Sequence, residues 1–339
     1  MANEPKSKRG CLWALVGLCA LTIIAGTVIL LASMALGRQV IGHADDSDEW
    51  GVDEYPILDE VWSYGAGETK VVTVPIRGFI SLDDSGGGML SSADSSTQLA
   101  LMAIRRATHD PDVRALILDI DSGGGGITAS DIIYQSLMDF RAADEARVIV
   151  AIFGDVAASG AYYIAIAADH IMARPTSITG SIGVLMQSIN ARELADKVGI
   201  HDVTIKSGRN KDLLNPLQDM TEEQRLLLQG IVDDLYKRFV SLVAERRGMP
   251  VEKVREIADG RVITAEEAVR VGLVDEIGYW DDALAATSDL LEVKEVKVFR
   301  YEEEFSFYNL IRASSRWNPV SEFLGGRTGR TRLLYQWQL

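Results

Sequence analysis

The chain has 339 residues, 47% of them hydrophobic and 24% charged, a composition that supports one large core or two modest ones and excludes wholesale disorder. Its net charge of −15 argues against a nucleic-acid partner, because phosphate binding needs a basic face and the few basic clusters are short and terminal. Both cysteines, Cys11 and Cys19, fall in one N-terminal apolar run, and His43, His109, His170 and His201 form no i, i+4 pair, so neither a disulfide nor a metal or other cofactor is expected in the remainder.

Residues 1–10 read as a cytoplasmic tail and residues 11–37 as a transmembrane anchor. No residue from Cys11 to Gly37 is charged, and at about 1.5 Å per residue the run spans roughly 40 Å, enough to cross a hydrocarbon core of about 30 Å. Lys6, Lys8 and Arg9 precede it, whereas Asp45, Asp46, Asp48 and Glu49 follow, so the positive-inside rule leaves the N-terminus in the cytoplasm and the bulk of the chain outside. A cleaved signal peptide is the alternative, since Ser33-Met34-Ala35 offers small residues, but the run exceeds the roughly 7 to 15 residues of such segments. Residues 38–68 are acidic and read as a tether to a cell-membrane, single-pass topology.

Residues 69–285 read as the folded domain. Lys70 to Ile80 is a β-branched run predicting a strand; Leu82 to Thr97, rich in Gly, Ser and Asp, predicts a loop; Thr97 to Arg106 has helical spacing. The apolar strand Ala115 to Ile120 leads into Asp121-Ser122-Gly123-Gly124-Gly125-Gly126 and a helix carrying Ile132, Ile133, Leu137 and Phe140. The same order repeats with strand Val148 to Phe153, the small-residue turn Val156 to Gly160 and a short helix Ala161 to Ala168, which is the βα alternation of an α/β fold. Strands follow at His170 to Ala173, Val184 to Ile189 and Val203 to Ser207, with a helix at Glu193 to Val198. A long helix opens at the capping box Thr221/Gln224 and presents Leu228, Ile231, Val232, Leu235, Phe239 and Leu242 on one face as far as Gly248. Thr264 to Val271 is a further helix. Residues 286–339 form a C-terminal extension with a strand-like run at Val293 to Tyr301, then aromatics including Phe305 and Trp317 and a basic cluster at Arg327, Arg330 and Arg332.

Two features carry chemistry. Ser159, among Ala157, Ala158, Gly160 and Ala161, sits where a strand meets a helix, so a substrate backbone can approach its hydroxyl; its amide and that of Gly160 would stabilise developing negative charge. Tight helix–strand packing explains the same small residues. The run Gly123 to Gly126 offers outward amides for an oxyanion or a phosphate, or a plain surface loop. A serine nucleophile needs a base, and His109 and His170 lie in solvated turns. A desolvated lysine serves instead, which points to Lys206 or Lys211, each equally readable as a surface charge.

Five blocks in order resemble the signature of the signal peptide peptidase A family: Asp121 to Gly125, Gly154 to Tyr163, Thr179 to Val184, Lys206-Ser207-Gly208 with Lys211-Asp212, and Gly260 to Thr264 with Gly272 to Asp275. The resemblance spans about residues 70 to 280. It implies a ClpP/crotonase-type fold of repeated ββα units and a Ser/Lys dyad with Ser159 as nucleophile and Lys211 as base. It further implies Ser181 as the lysine's hydrogen-bonding partner, Gly124 and Gly160 as oxyanion-hole positions, a homo-oligomer, and signal-peptide remnants as peptide substrates. Asp121 and Gly123 stand where the family usually has asparagine and proline. A non-catalytic membrane scaffold and a crotonase-like acyl-CoA enzyme are the alternative readings.

Overall fold

The sheet begins in a stretch that composition alone would assign to linker. The computed structural model describes residues 55–82 and 96–302 and the backbone of 333–336, all within one unit, Val52–Leu339. The apolar run at 11–37, most of the glycine- and serine-rich segment after Leu82, and the aromatic and basic residues from Phe305 to Arg332 lie outside these described residues.

In chain order the elements are β1 (Asp59–Tyr64), β2 (Thr69–Ile80), α1 (Ser96–His109), β3 (Val113–Gly126), α2 (Ile127–Ala142), β4 (Val148–Ala158) and α3 (Gly160–Ala165). Then come β5 (His170–Ala173), β6 (Ile178–Gly180), β7 (Leu185–Met186), α4 (Arg192–Lys197), α5 (Glu222–Arg246) and α6 (Val251–Ile257). The remainder is β8 (Val262–Thr264), α7 (Ala265–Val271), β9 (Glu276–Ile277), α8 (Trp280–Leu290), β10 (Val296–Glu302) and β11 (Leu333–Gln336). The main sheet has the order β1-β10-β2-β3-β4-β5-β9, parallel except where β1 meets β10. This is a mixed α/β sheet fold.

Central strands buried on both faces explain the continuous apolar run at Ala115 to Ile120. Leu116, Leu118 and Ile120 face the larger core, packed with α1, α2, α3 and the end of α5, while Ala115 and Ile117 face a smaller one closed by Ala283 and Leu284 of α8. Side chains alternate faces with a period of two, so one strand feeds both cores.

Three readings change. Residues 59–64, expected in the tether, pair with 298–302 of the C-terminal extension, and β10 in turn pairs with β2, so both segments are part of the sheet. No strand forms at Val203 to Ser207: the alternation is present, but Val203 and Ile205 are 86% and 98% exposed, and among the described residues no strand pairs with them. The long helix α5 does open on the capping box, Thr221 Oγ1 accepting from the Gln224 amide and Gln224 Oε1 from that of Thr221. Yet its fully buried residues begin only at Phe239; Leu226, Leu227 and Ile231 are exposed, so its first half stands away from the core.

The end of α5 is locked down electrostatically. Arg247 donates to both Asp275 oxygens, at 2.5 and 3.1 Å, and to the Gly272 carbonyl, while the Ile171 amide donates to Asp275. Burial pushes the Asp275 carboxyl up, but the Arg247 and Ile171 bonds outweigh it and hold it below its ordinary value. Since folding lowers this pKa, the stabilisation is complete above the unfolded carboxylate value and is lost as pH falls through the folded one.

Two outcomes follow for unfolding in urea. Leu118→Ala, at a site with no solvent exposure, costs about 2–5 kcal/mol through lost transfer energy and a residual cavity. Asp275→Asn lowers stability at pH 7 and flattens the loss of stability below about pH 4, measured as the shift in urea midpoint across a pH series.

Candidate active site

The site forms where two neighbouring parallel strands part. β3 and β4 stay in register from Ala115/Val148 to Ile120/Phe153, shift, and pair a last time at Ser122/Ala157. β4 then ends, and Ser159 turns the chain into α3 with φ 56° and ψ −118°. A positive φ at a non-glycine residue costs on the order of 1–3 kcal/mol and persists only when its surroundings impose it. Here the Ser159 amide donates to the Gly180 carbonyl at 2.9 Å, and the Tyr163 amide donates to the Ser159 carbonyl at 2.9 Å. Ser159 is 1% exposed.

The expectation that the Ser159 amide faces an oxyanion is therefore corrected: that donor is committed to β6. Gly160, the first residue of α3, has no carbonyl one turn earlier within its helix, so its amide has no intrahelical partner. Gly124 donates its amide to Ser122 Oγ at 3.0 Å, and Ser122 donates in turn to the Gly78 carbonyl at 2.5 Å. The glycine run is thus not a free loop; it continues β3 through Gly126, and a Cβ on Gly125 would lie 2.1 Å from the Ile80 carbonyl of β2.

Ser181 follows β6, also at positive φ (51°), its amide donating to the Arg261 carbonyl at 2.7 Å. β6 is held parallel to the end of β4 and antiparallel to β8, and the Thr179 hydroxyl donates to the Ala157 carbonyl at 2.6 Å. Ser159 and Ser181 consequently share one cleft, whose other walls are Gly183 to Leu185, Val232, Asp233 and Tyr236 of α5, and Ala258 to Gly260. The wall from α5 is tied to the serine's own helix: Tyr163 donates to Asp131 of α2 at 2.6 Å, and Arg238 donates to Asp131 at 2.6 Å and to the Tyr163 hydroxyl at 3.2 Å. Burial pushes the Asp131 carboxyl up, but the Arg238 and Tyr163 bonds prevail and lower it, so the clamp is an ion pair at neutral pH.

Neither lysine lines this cleft. Lys206 donates to both oxygens of Asp212 at 2.7 Å. Lys211 is exposed in the following turn, and among the described residues it makes no ion pair. His109 meets the Tyr55 ring edge-on, His170 lies 3.4 Å from Glu276, and His201 is exposed; none reaches the cleft. Among the described residues no group of three or more His, Cys, Asp or Glu could hold a metal ion.

Sequence reasoning missed Ser122 and Thr179, whose hydroxyls pin the glycine strand and β6; single serines and threonines in strands give no signal of this kind. Asp121 stands where the resembled family usually has asparagine. Asp121 Oδ1 accepts the Val156 amide at 3.1 Å, a bond that an asparagine oxygen would make equally well.

Peptidase family S49 matches residues 141–294. An Enterococcus faecium protein described as a signal peptide peptidase SppA is 33% identical over 271 residues, 79% of this chain and 76% of its own. A Synechocystis protein described as a protease is 40% identical over 211 residues, 62% of this chain and 75% of its own. Protease 4 of Salmonella typhi is 33% identical over 211 residues, which cover 62% of this chain and 34% of that longer protein.

Ser122→Ala removes a part-buried hydrogen bond to the Gly78 carbonyl and leaves the buried Gly124 amide without its acceptor. The expected loss is about 1–3 kcal/mol in urea unfolding.

Proposed function

The chain belongs to peptidase family S49, with the SppA-type serine peptidases, and on that premise we propose that Ser159 is its nucleophile and Lys211 its general base. The observation that carries this reading is the strained turn at Ser159, buried at the end of β4 in a cleft shared with Ser181. Neutral Lys211 takes the Ser159 proton as the hydroxyl attacks the scissile carbonyl, and the Ser181 hydroxyl holds the lysine in place. The amides of Gly160 and Gly124 receive the oxyanion. For Gly124 to do so its amide must leave Ser122, and glycine rather than proline at 123 leaves that peptide free to turn. The oxyanion collapses, the scissile C–N bond breaks, and the lysine passes its proton to the departing amine; water, giving a proton to the same lysine, then attacks the acyl-enzyme and releases the carboxylate product and Ser159, which regains its proton.

Lys211 lies outside the cleft in one copy, and the segment that carries it is rich in unpacked apolar residues: Ile189, Leu194, Val198, Ile200, Val203 and Ile205 are all more than half exposed. Such a surface is covered in a homo-oligomer, where Lys211 meets the serine of a neighbouring subunit. The uncharged run at 11–37 anchors the chain in the lipid bilayer with its catalytic domain outside the cytoplasm; among the described residues no helix is long and apolar enough to span a membrane. Membrane-associated peptides, including remnants of cleaved signal peptides, are the substrates.

The test is peptide hydrolysis by the detergent-solubilised protein. Ser159→Ala and Lys211→Ala each lower kcat by at least about three orders of magnitude, while Lys206→Ala, which breaks only the pair with Asp212, retains most of it. Full activity in Ser159→Ala would sink the assignment. Activity regained on mixing the two inactive variants places the dyad across subunits.

A further inference from the structure

The fully buried residues of α5 begin at Phe239, yet the part of α5 that lines the Ser159 cleft lies ahead of it, at Val232, Asp233 and Tyr236. Val232 and Tyr236, four residues apart, share one face of the helix and turn it to the cleft. The wall therefore belongs to the overhang of α5, where Asp233 is exposed and Val232 and Tyr236 are only partly buried. Packing alone fixes such a stretch weakly, because its stabilisation scales with the apolar area removed from water. Hydrogen bonds have to set its distance from the serine.

Side chains of Tyr236, Arg238 and Arg246 supply them. Tyr236 donates to the Ala258 carbonyl at 2.8 Å, which joins the α5 wall to the wall at Ala258 to Gly260. Arg238, about 3 Å further along the helix axis, donates to Asp131 Oδ1 at 2.6 Å and to the Tyr163 hydroxyl at 3.2 Å, while Tyr163 donates to the same Asp131 oxygen. Arg246 donates to the carbonyls of Ile166 and Ala167 at 2.9 and 3.0 Å, at the end of α3, where helical carbonyls lack partners of their own. Thus α5 grips the helix that begins beside Ser159 at Arg238 and again at Arg246, and between them the Phe239 and Tyr163 ring centroids lie 5.1 Å apart.

We propose that Arg238 is a positioning residue for peptide binding: through Asp131 and the Tyr163 hydroxyl it fixes the α5 wall at a set distance from Ser159, and substrate affinity depends on that distance. This rests on the Ser159 cleft being where the peptide binds. The serine does not depend on the arginine. Its helix is held by the buried Tyr163 ring, by Arg246 and by the bond from the Ser159 amide to Gly180, all of which remain when Arg238 is removed. The wall moves and the serine stays. A misplacement of about 1 Å is enough to be costly in a binding cleft. The guanidinium fork meets both acceptors at once, whereas the ammonium of a lysine restores the charge at Asp131 without the fork.

The experiment compares the full chain in detergent with Arg238→Ala, Arg238→Lys, Asp131→Ala and the double variant Arg238→Ala/Asp131→Ala. Hydrolysis of a synthetic alanine–leucine peptide gives KM and kcat, and amide hydrogen exchange read by mass spectrometry reports residues 229–237 of α5 against residues 239–246. Arg238→Ala is expected to raise KM about tenfold with kcat within about twofold, and to speed exchange in 229–237 alone. Arg238→Lys is expected to regain most of the lost affinity. The double variant is expected to match the worse of its two single variants, because the arginine acts through the aspartate. A fall in kcat at unchanged KM, additive effects in the double variant, or exchange that is unchanged or speeds equally along the whole of α5 overturns the proposal. If the unvaried chain hydrolyses no peptide and Ser159 takes no acylating probe, the nucleophile assignment fails instead, and exchange still decides the clamp: faster exchange confined to 229–237 in Arg238→Ala upholds it and unchanged exchange refutes it.

Discussion

One hydrogen bond, from the Ser159 amide to the Gly180 carbonyl, organises the cleft that Ser159 shares with Ser181. It holds Ser159 at positive φ and draws β6 alongside the end of β4. Gly180, itself at φ 87°, then turns the chain so that Ser181 enters the same cleft. The bond also commits the Ser159 amide to β6, as Ser122 Oγ commits the amide of Gly124. Strain of this kind survives because the parallel pairs on either side are locked by the Thr179 hydroxyl and by β8.

Around that bond the sheet does two jobs. Its interior strands feed both cores and set the rigid frame, while their unequal ends create the working edge. β3 is tied by Ser122 to the bend at Gly78, and β4 by Asp121 to the Val156 amide, so the point at which the strands diverge is defined on both sides. The divergence leaves an edge of β3 beyond Ser122 that β4 does not cover, and β11 pairs along it. Charged groups then tie α5 to this frame: the Asp131, Tyr163 and Arg238 cluster fastens it to the helix behind Ser159, and Arg247 with Asp275 fastens its far end.

Much of the frame was readable in the residues. The βα alternation, the two-sided burial of Ala115 to Ile120, the capping box at Thr221 and the strand-to-helix turn at Ser159 each follow from local preference, and local preference is written in local sequence. Reading failed where a partner decided the outcome. Val203 to Ser207 alternates like a strand but pairs with no strand among the described residues, and the first half of α5 repeats like a packing helix but leaves Leu226, Leu227 and Ile231 exposed. Conversely, Asp59 to Tyr64 looked like tether and became a strand because β10 lay beside it.

What the sequence by itself determined was the class of fold, the serine at a strand-to-helix junction, and an apolar run long enough to cross a bilayer, all properties of short contiguous stretches. Only the tertiary structure decided that Ser159 and Ser181 meet, that the Ser159 amide is spent on Gly180, that neither lysine reaches the cleft within one copy, and that residues 333–336 lie along the glycine strand. Those outcomes depend on hydrogen bonds between residues 20 to more than 200 positions apart, such as Ser159 with Gly180 and Gly126 with Leu334. No local pattern encodes such bonds, because each partner is chosen by where the rest of the sheet has placed it.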